Sequence, residues 1–111
     1  MLSRLSDTLE RYMDVLSARQ KVVASNIANA DTPGYKTMDI DFQSEFRSAV
    51  GGAVQSFEVG GLPVNNDGNN VSLDRESRLL TENDMRFNLA SNLLRSEVQS
   101  IRAALQSGSN T

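Results

Sequence analysis

Apolar residues in the first thirty positions fall at Leu2, Leu5, Leu9, Tyr12, Leu16, Val23 and Ile27. The early steps of three and four make a heptad seam, the spacing that keeps one stripe of an α-helix turned toward a partner helix. A polar gap at Arg19-Gln20-Lys21 interrupts the seam, and the pattern predicts a helix over residues 3–30. Near the other end, Leu80, Phe87, Leu94 and Ile101 recur every seven residues, with Ala90, Val98 and Leu105 along the adjacent line. This predicts a second helix over 74–106, with Asp74 as its N-cap and Gly108 as a stop signal beyond it. Asp7–Arg11, Asp74–Arg78 and Glu82–Arg86 place an acid four residues before a base, an order that supports a helix.

Between the two patterns the chemistry changes. Five of the seven glycines lie at Gly51, Gly52, Gly60, Gly61 and Gly68, together with Pro63, so a helix is disfavoured there. The stretch "SFEVGGLPV" has the makings of a weak hairpin around Gly60-Gly61, although Pro63 cannot donate to a ladder. Phe42, Phe46 and Val50, four apart, allow one or two helical turns. The expected fold is mainly α: long N- and C-terminal amphipathic helices pair as an antiparallel coiled coil, joined by a Gly-rich irregular or weakly β middle. The segments are 1–31, the N-terminal helix; 32–73, a turn and a flexible or small middle; and 74–111, the C-terminal helix. The helix-packing seam comprises Leu5, Leu9, Tyr12, Leu16 and Val23 against Leu80, Phe87, Leu94, Val98 and Ile101. Two stripes with a single partner each bury little, so an isolated monomer is expected to be marginal and to seek neighbours. Seams joined by a flexible loop also invite helix swapping between chains.

Composition narrows the function. The chain of 111 residues has no cysteine and no histidine, which removes disulfides, thiolate metal sites, the commonest metal ligand and the commonest general base. A formal charge of −3 gives no reason to expect nucleic acid as a partner. No run of apolar residues reaches the ~20 needed for a membrane span, and the N-terminus does not read as a cleavable secretory signal. The stretch "NNDGNNVSLDRE", residues 65–76, alternates oxygen side chains as a calcium loop does, but Gly68 falls two positions early and carboxylates are few. A turn leading into a capped helix explains it better. Asp39 and Asp41 flank Ile40 and read as solvated loop charges, and the arginines of the last helix, Arg75 among them, as a solvated face.

The remaining signal is "ASNIANADTPGYK". Pro33-Gly34 has the residue types of a type II turn, and Thr32, preceding proline, must leave the helical region. Asn26 and Asn29 share a face and offer donors and acceptors where a helix gains little from asparagine; Asn29 suits a left-handed cap or the capture of loose carbonyls. Ala24 and Ala28 leave one side thin enough for another backbone to approach.

Ser25, Asn26, Ile27, Ala28, Asn29, Thr32, Pro33, Gly34, Tyr35 and Lys36 together resemble the N-terminal signature of bacterial flagellar axial proteins, the rod, hook and hook-associated subunits. "DGNNVSLDRE" resembles a stretch found in the proximal rod branch of the basal-body rod family, matched at Asp67, Gly68, Asn69, Asn70, Val71, Leu73 and Asp74; Ser72 departs from it, standing where that branch has an acid. The last helix lacks the R-A-Y-E-A-N stretch of distal rod and hook subunits. The chain is short for the family, which implies a reduced middle. The resemblance implies a structural subunit of the proximal rod, not an enzyme, with no cofactor. It implies export from the cytoplasm by the flagellar type III apparatus, folding on assembly, and a place in the basal-body rod in the periplasm, where torque is transmitted for motility. The implied partners are other rod subunits, the basal-body base and the export apparatus. In such subunits the paired terminal helices line a central channel. On the residues alone, a small helical adaptor or a weak calcium-binding module remains the alternative.

Overall fold

The computed structural model describes residues 4–48 and 53–109. Leu2, Val50, Gly51 and Gly52, used above, lie outside them. The elements run α1 (Arg4–Ala28), β1 (Met38–Ile40), α2 (Phe42–Arg47), β2 (Ser56–Glu58) and α3 (Leu73–Ser109). The fold is mainly helical: α1 and α3 pack along each other, and a short two-stranded antiparallel sheet occupies the middle. No described helix is long and apolar enough to cross a membrane.

Three contacts fix the direction of the helical pair. Leu9 shares a hollow with Leu89 and Ala90; Gln20 accepts a hydrogen bond from Asn83 Nδ2 at 3.3 Å; Asn26 bonds Glu76. Each step forward along α1 is thus a step back along α3. At 37 residues α3 is about 55 Å long against about 37 Å for the 25 residues of α1, so its C-terminal third runs on past Arg4. The molecule is correspondingly elongated, 72 × 25 × 17 Å.

The stripes differ in detail from the heptad reading. On α1, Leu9, Leu16 and Val23 are buried, Tyr12 is half-buried, and Leu5 is 52% exposed. Val15, fully buried, lies outside the expected seam. The reason is that α1 serves two neighbours, α3 on one side and β1 with α2 on another. On α3 the buried line is Glu76, Leu79, Asn83 and Ala90; Leu80, Leu94, Val98 and Ile101 are half-buried, and Phe87 is 38% exposed. The apolar heptad therefore flanks the contact line, which is partly polar and so invisible to a count of apolar residues.

Several boundaries also move. Ser72 Oγ accepts from Arg75 N at 3.2 Å, so Ser72 caps α3 and Asp74 sits inside its first turn. The serine thus fills a role open to the acid it replaces. Gly108 lies within α3 rather than beyond it. Of the three acid-first pairs only Glu82–Arg86 forms, at 2.7 Å; Arg11 instead donates to Glu45 O at 2.7 Å. Residues 56–58 do pair, but with β1 rather than across Gly60-Gly61, in the register Met38↔Glu58, Asp39↔Phe57 and Ile40↔Ser56. Asp41 caps α2 by accepting from Ser44 N, and Phe42 and Phe46 set their rings edge-on to Tyr12 at 5.1 and 5.5 Å. This aromatic trio holds α2 on α1.

Leu16→Ala, at a site 2% exposed, is expected to cost about 3 kcal/mol, whereas Leu105→Ser, 69% exposed, should stay within about 0.5 kcal/mol. Urea unfolding of both variants at dilute concentration checks the contrast.

Candidate functional site

Six of the buried polar residues gather at one end of the helical pair, Asn26, Thr37, Asp39, Asn69, Asn70 and Glu76; Ser6 and Asn83 lie elsewhere along it. All but Glu76 bond backbone groups that a nearby turn, helix end or strand leaves in need of partners.

The first half of the site is the end of α1. Asn29 N donates to Ser25 O at 3.0 Å, and Asn29 Nδ2 to the same oxygen at 2.8 Å, so the side chain adds a second bond to a carbonyl that the backbone already reaches. No non-glycine residue described has positive φ, so Asn29 is not a left-handed cap. Thr32 Oγ1 donates back to Asn29 Oδ1 at 3.0 Å. Tyr35 N then reaches Thr32 O at 3.2 Å with Gly34 at φ 76°, which is the type II turn expected of Pro33-Gly34.

The second half is the turn before α3. Gly68 N donates to Asn65 O at 2.9 Å with Gly68 at φ 86°, and Asp67 Oδ1 accepts from Asn69 N at 3.0 Å. Here the two halves interlock. Gly34 N donates to Asp67 O at 2.9 Å, and Lys36 Nζ to Gly68 O. A Cβ on Gly68 would stand 3.3 Å from Gly34 Cα, so the two turns touch backbone to backbone. Asn69 Nδ2 bridges Asn29 O and Thr32 O at 2.9 and 2.8 Å, closing the end of α1 from across the chain. Asn70 Oδ1 accepts from Thr37 N and Thr37 Oγ1 at 2.7 and 2.8 Å.

Beneath this clasp lies Asn26, fully buried. Its amide makes the full complement of four bonds: Nδ2 to Met38 O at 2.8 Å and to Glu76 Oε1 at 2.6 Å, Oδ1 from Met38 N at 3.1 Å and Tyr35 Oη at 2.9 Å. Met38 thus finds in a side chain the two bonds that a neighbouring strand would offer. Glu76 continues to Arg75 at 2.9 Å, Arg75 to Asp39 at 2.7 Å, and Asp39 to the guanidinium of Arg19 at 3.0 and 3.1 Å. Burial pushes the Asp39 carboxyl up, but the hydrogen bond and charge of Arg19, the Ile40 N–H and Arg75 outweigh it, and its pKa lies below the usual value.

Two readings are corrected by this network. Asp39, taken as a solvated loop charge, is 7% exposed and bridges two helices; Arg75, taken as part of a solvated face, is its partner. Arg19, Thr37 and Glu76 were also missed, since isolated charges and one threonine carry no periodic signal. The adjacency of Thr37 to Lys36 and of Glu76 to the "DGNN" stretch was the available hint. Of the residues singled out from sequence, Asn29, Thr32, Gly34, Tyr35 and Lys36 meet Asp67, Gly68, Asn69 and Asn70, while Asn26 meets Tyr35, Met38 and Glu76. Ser25 Oγ lies 3.4 Å from Tyr35 Oη, and Val71 N donates to Asn69 Oδ1. Ile27 is half-buried; Ala24, Ala28, Pro33, Leu73 and Asp74 are exposed, so the thin alanine side meets no backbone of its own chain. Of the oxygen side chains that the calcium reading would use, Asp67 Oδ1 accepts from Asn69 N and Asn69 Oδ1 from Val71 N, so both serve the turn. The site's chemistry is that of a latch.

A family model described as "Flagella basal body rod protein" matches residues 13–36, which include the first half of the clasp. Over the whole chain, the flagellar basal body rod protein FlgB of Borrelia hermsii is 32% identical, covering 90% of this chain and 94% of its own length. The FlgB proteins of Salmonella typhimurium strain LT2 and Escherichia coli K12 are 31% and 29% identical, over 97% of this chain and 99% of theirs. These alignments extend over 127 to 137 positions against 111 residues, so the relatives carry residues this chain lacks.

Asn26→Ala strips Met38 and Glu76 of buried partners and is expected to cost about 3 kcal/mol in urea unfolding. Asp39 gives a pH signature. Its folded pKa is depressed, so its contribution is complete above the unfolded value of about 4 and is lost as pH falls through the folded value. The stability gap between the unsubstituted chain and Asp39→Asn should therefore hold at neutral pH and narrow below about pH 4, as measured by urea titrations at each pH.

Proposed function

This chain belongs to the flagellar basal-body rod protein family represented by FlgB, and from that premise we propose that it is a proximal rod subunit, exported with little or no folded structure and folding as it joins the rod. It is a structural subunit of the flagellar basal body and not an enzyme. The observation that carries the finer reading is the clasp. Two motifs more than thirty residues apart close on each other almost wholly through hydrogen bonds to backbone, with little apolar area beneath them. Such a junction is cheap to open, which suits passage through the flagellar type III apparatus. Once closed it is directional, tying the end of α1 to the start of α3 so that neither helix slides along the other under torsional load.

The same economy fits folding on assembly. The apolar core is short, and α3 keeps Met85, Leu89 and Leu93 exposed in a row at steps of four. Other rod subunits and the basal-body base are the partners that would cover such surfaces, and motility depends on the rod so built.

Gly68→Ala requires both a positive φ and a Cβ against the Gly34 backbone, so it should open the clasp without touching the helix surfaces. A strain carrying it as its sole copy is expected to swim poorly on soft agar and to yield fewer rods in purified basal bodies. Normal swimming would remove the clasp from the assembly role.

A further inference from the structure

Two faces of the helical pair are charged and have no ionic partner among the described residues. On α1, Asp7, Glu10 and Asp14 stand at i, i+3 and i+7, share one exposed face, and point away from the buried Leu9 and Leu16. On α3, Arg95 and Arg102 stand seven apart, exposed, on a face away from the buried Ala90. Among the described residues, none of these five makes an ion pair. The next charge along each line reverses sign: exposed Lys21 follows Asp14 by seven residues, and exposed Asp84 precedes Arg95 by eleven. Along α1 the face reads acid at Asp7, Glu10 and Asp14, then base at Lys21; along α3, running the other way, it reads base at Arg102 and Arg95, then acid at Asp84.

We infer that these two faces are the halves of a head-to-tail lateral contact between copies of this chain. Copies lying side by side in the same direction set α3 of one antiparallel to α1 of the next. The in-chain register puts Asp7 level with Arg95. An axial offset of seven residues, about 10 Å, brings Arg102 opposite Asp7 and Arg95 opposite Asp14, with Asp84 one turn from Lys21. The spacing of seven on both helices is what lets two pairs form at once. The faces differ, so each contact leaves an acidic face free on one copy and a basic face free on the other, and the contact propagates. With the axial offset, it propagates as a helical stack rather than a flat ring. This inference rests on the rod-subunit reading and names the partner of its outer surface: a second copy of the same chain.

Sedimentation velocity of the full chain over a concentration series, at about 20 mM and about 500 mM salt, tests it. Self-association is expected at low salt and should weaken at high salt. The double variant Arg95→Asp with Arg102→Asp, and separately Asp7→Arg with Asp14→Arg, should each raise the concentration for half-association about tenfold or more. The four-site variant, which exchanges the charges of the Asp7–Arg102 and Asp14–Arg95 pairs, should recover association, with circular dichroism confirming equal helix content throughout. The inference is overturned if the double variants associate like the unsubstituted chain, if the helical four-site variant stays as weak as they are, or if no association occurs at low salt. Association only with another rod protein would also overturn the same-chain partner, while leaving the rod-subunit reading, which swimming tests, intact.

Discussion

The side-chain amide of Asn26 spends both hydrogens and both acceptor sites inside the protein, on three different segments. It holds Met38 as a neighbouring strand would, anchors Tyr35 at the exit of the turn, and receives Glu76 from the first turns of α3. An amide is suited to this because it carries donors and acceptors without a charge. Aspartate at the same place would offer only acceptors and would set a second carboxylate against Glu76; leucine would leave Met38 N–H and O, Tyr35 Oη and Glu76 without partners. The position of β1, and through it the sheet and Asp39, follows from this one residue. So does the entry of α3, since Glu76 is fixed from one side by Asn26 and from the other by Arg75.

A polar hub of this kind has an energetic character different from that of an apolar core. Each bond exchanges a water partner for a protein partner and contributes about 1 kcal/mol net, but losing one partner leaves a desolvated group behind. The result is modest stability with high specificity: few alternative registers of α1 against α3 satisfy Asn26, Glu76, Asp39 and Asn69 together. Along the rest of the pair the contact depends on Leu9, Leu16, Val23, Leu79 and Ala90, and apolar packing alone is tolerant of sliding. The closed end sets the register and the apolar line propagates it. Even there polar groups intrude, as Gln20 and Asn83 meet across the helices.

This division explains what was legible in the sequence. The two helices were, because heptad spacing in Leu5, Leu9, Tyr12 and Leu16 and in Leu80, Phe87, Leu94 and Ile101 survives any tertiary context. The type II turn was, because proline and glycine in that order have few other uses. The line of contact on α3 was not, because half of it is Glu76 and Asn83, and hydrophobic periodicity is silent about polar residues that meet polar partners. Asp39 and Arg75 were misread for the same reason: an isolated charge looks solvated until folding brings its counter-charge from thirty-six residues away. The pairing of β2 with β1 instead of a local hairpin is a further tertiary effect. Asn26 takes up Met38 N–H and O on one edge of β1 and leaves the other edge to β2, where Val59 N donates to Thr37 O, while Pro63 withholds a donor from the competing strand.

What the family signature encodes is therefore a contact between distant parts of the chain, not a surface badge. "SNIANADTPGYK" and "DGNN" are two sides of one junction: Asn69 closes the helix that Asn29 ends, and Gly68 is glycine because Gly34 is there. The exposed helix faces carry fewer internal bonds than the clasp does. A substitution at Arg95 or Asp14 breaks no ion pair among the described residues, whereas one at Asn26 or Asn69 removes several buried hydrogen bonds at once. On the proposed route of export followed by assembly, a subunit needs both properties. The clasp secures the shape with bonds that water can readily replace, and the helix faces carry the charges by which one copy would recognise the next.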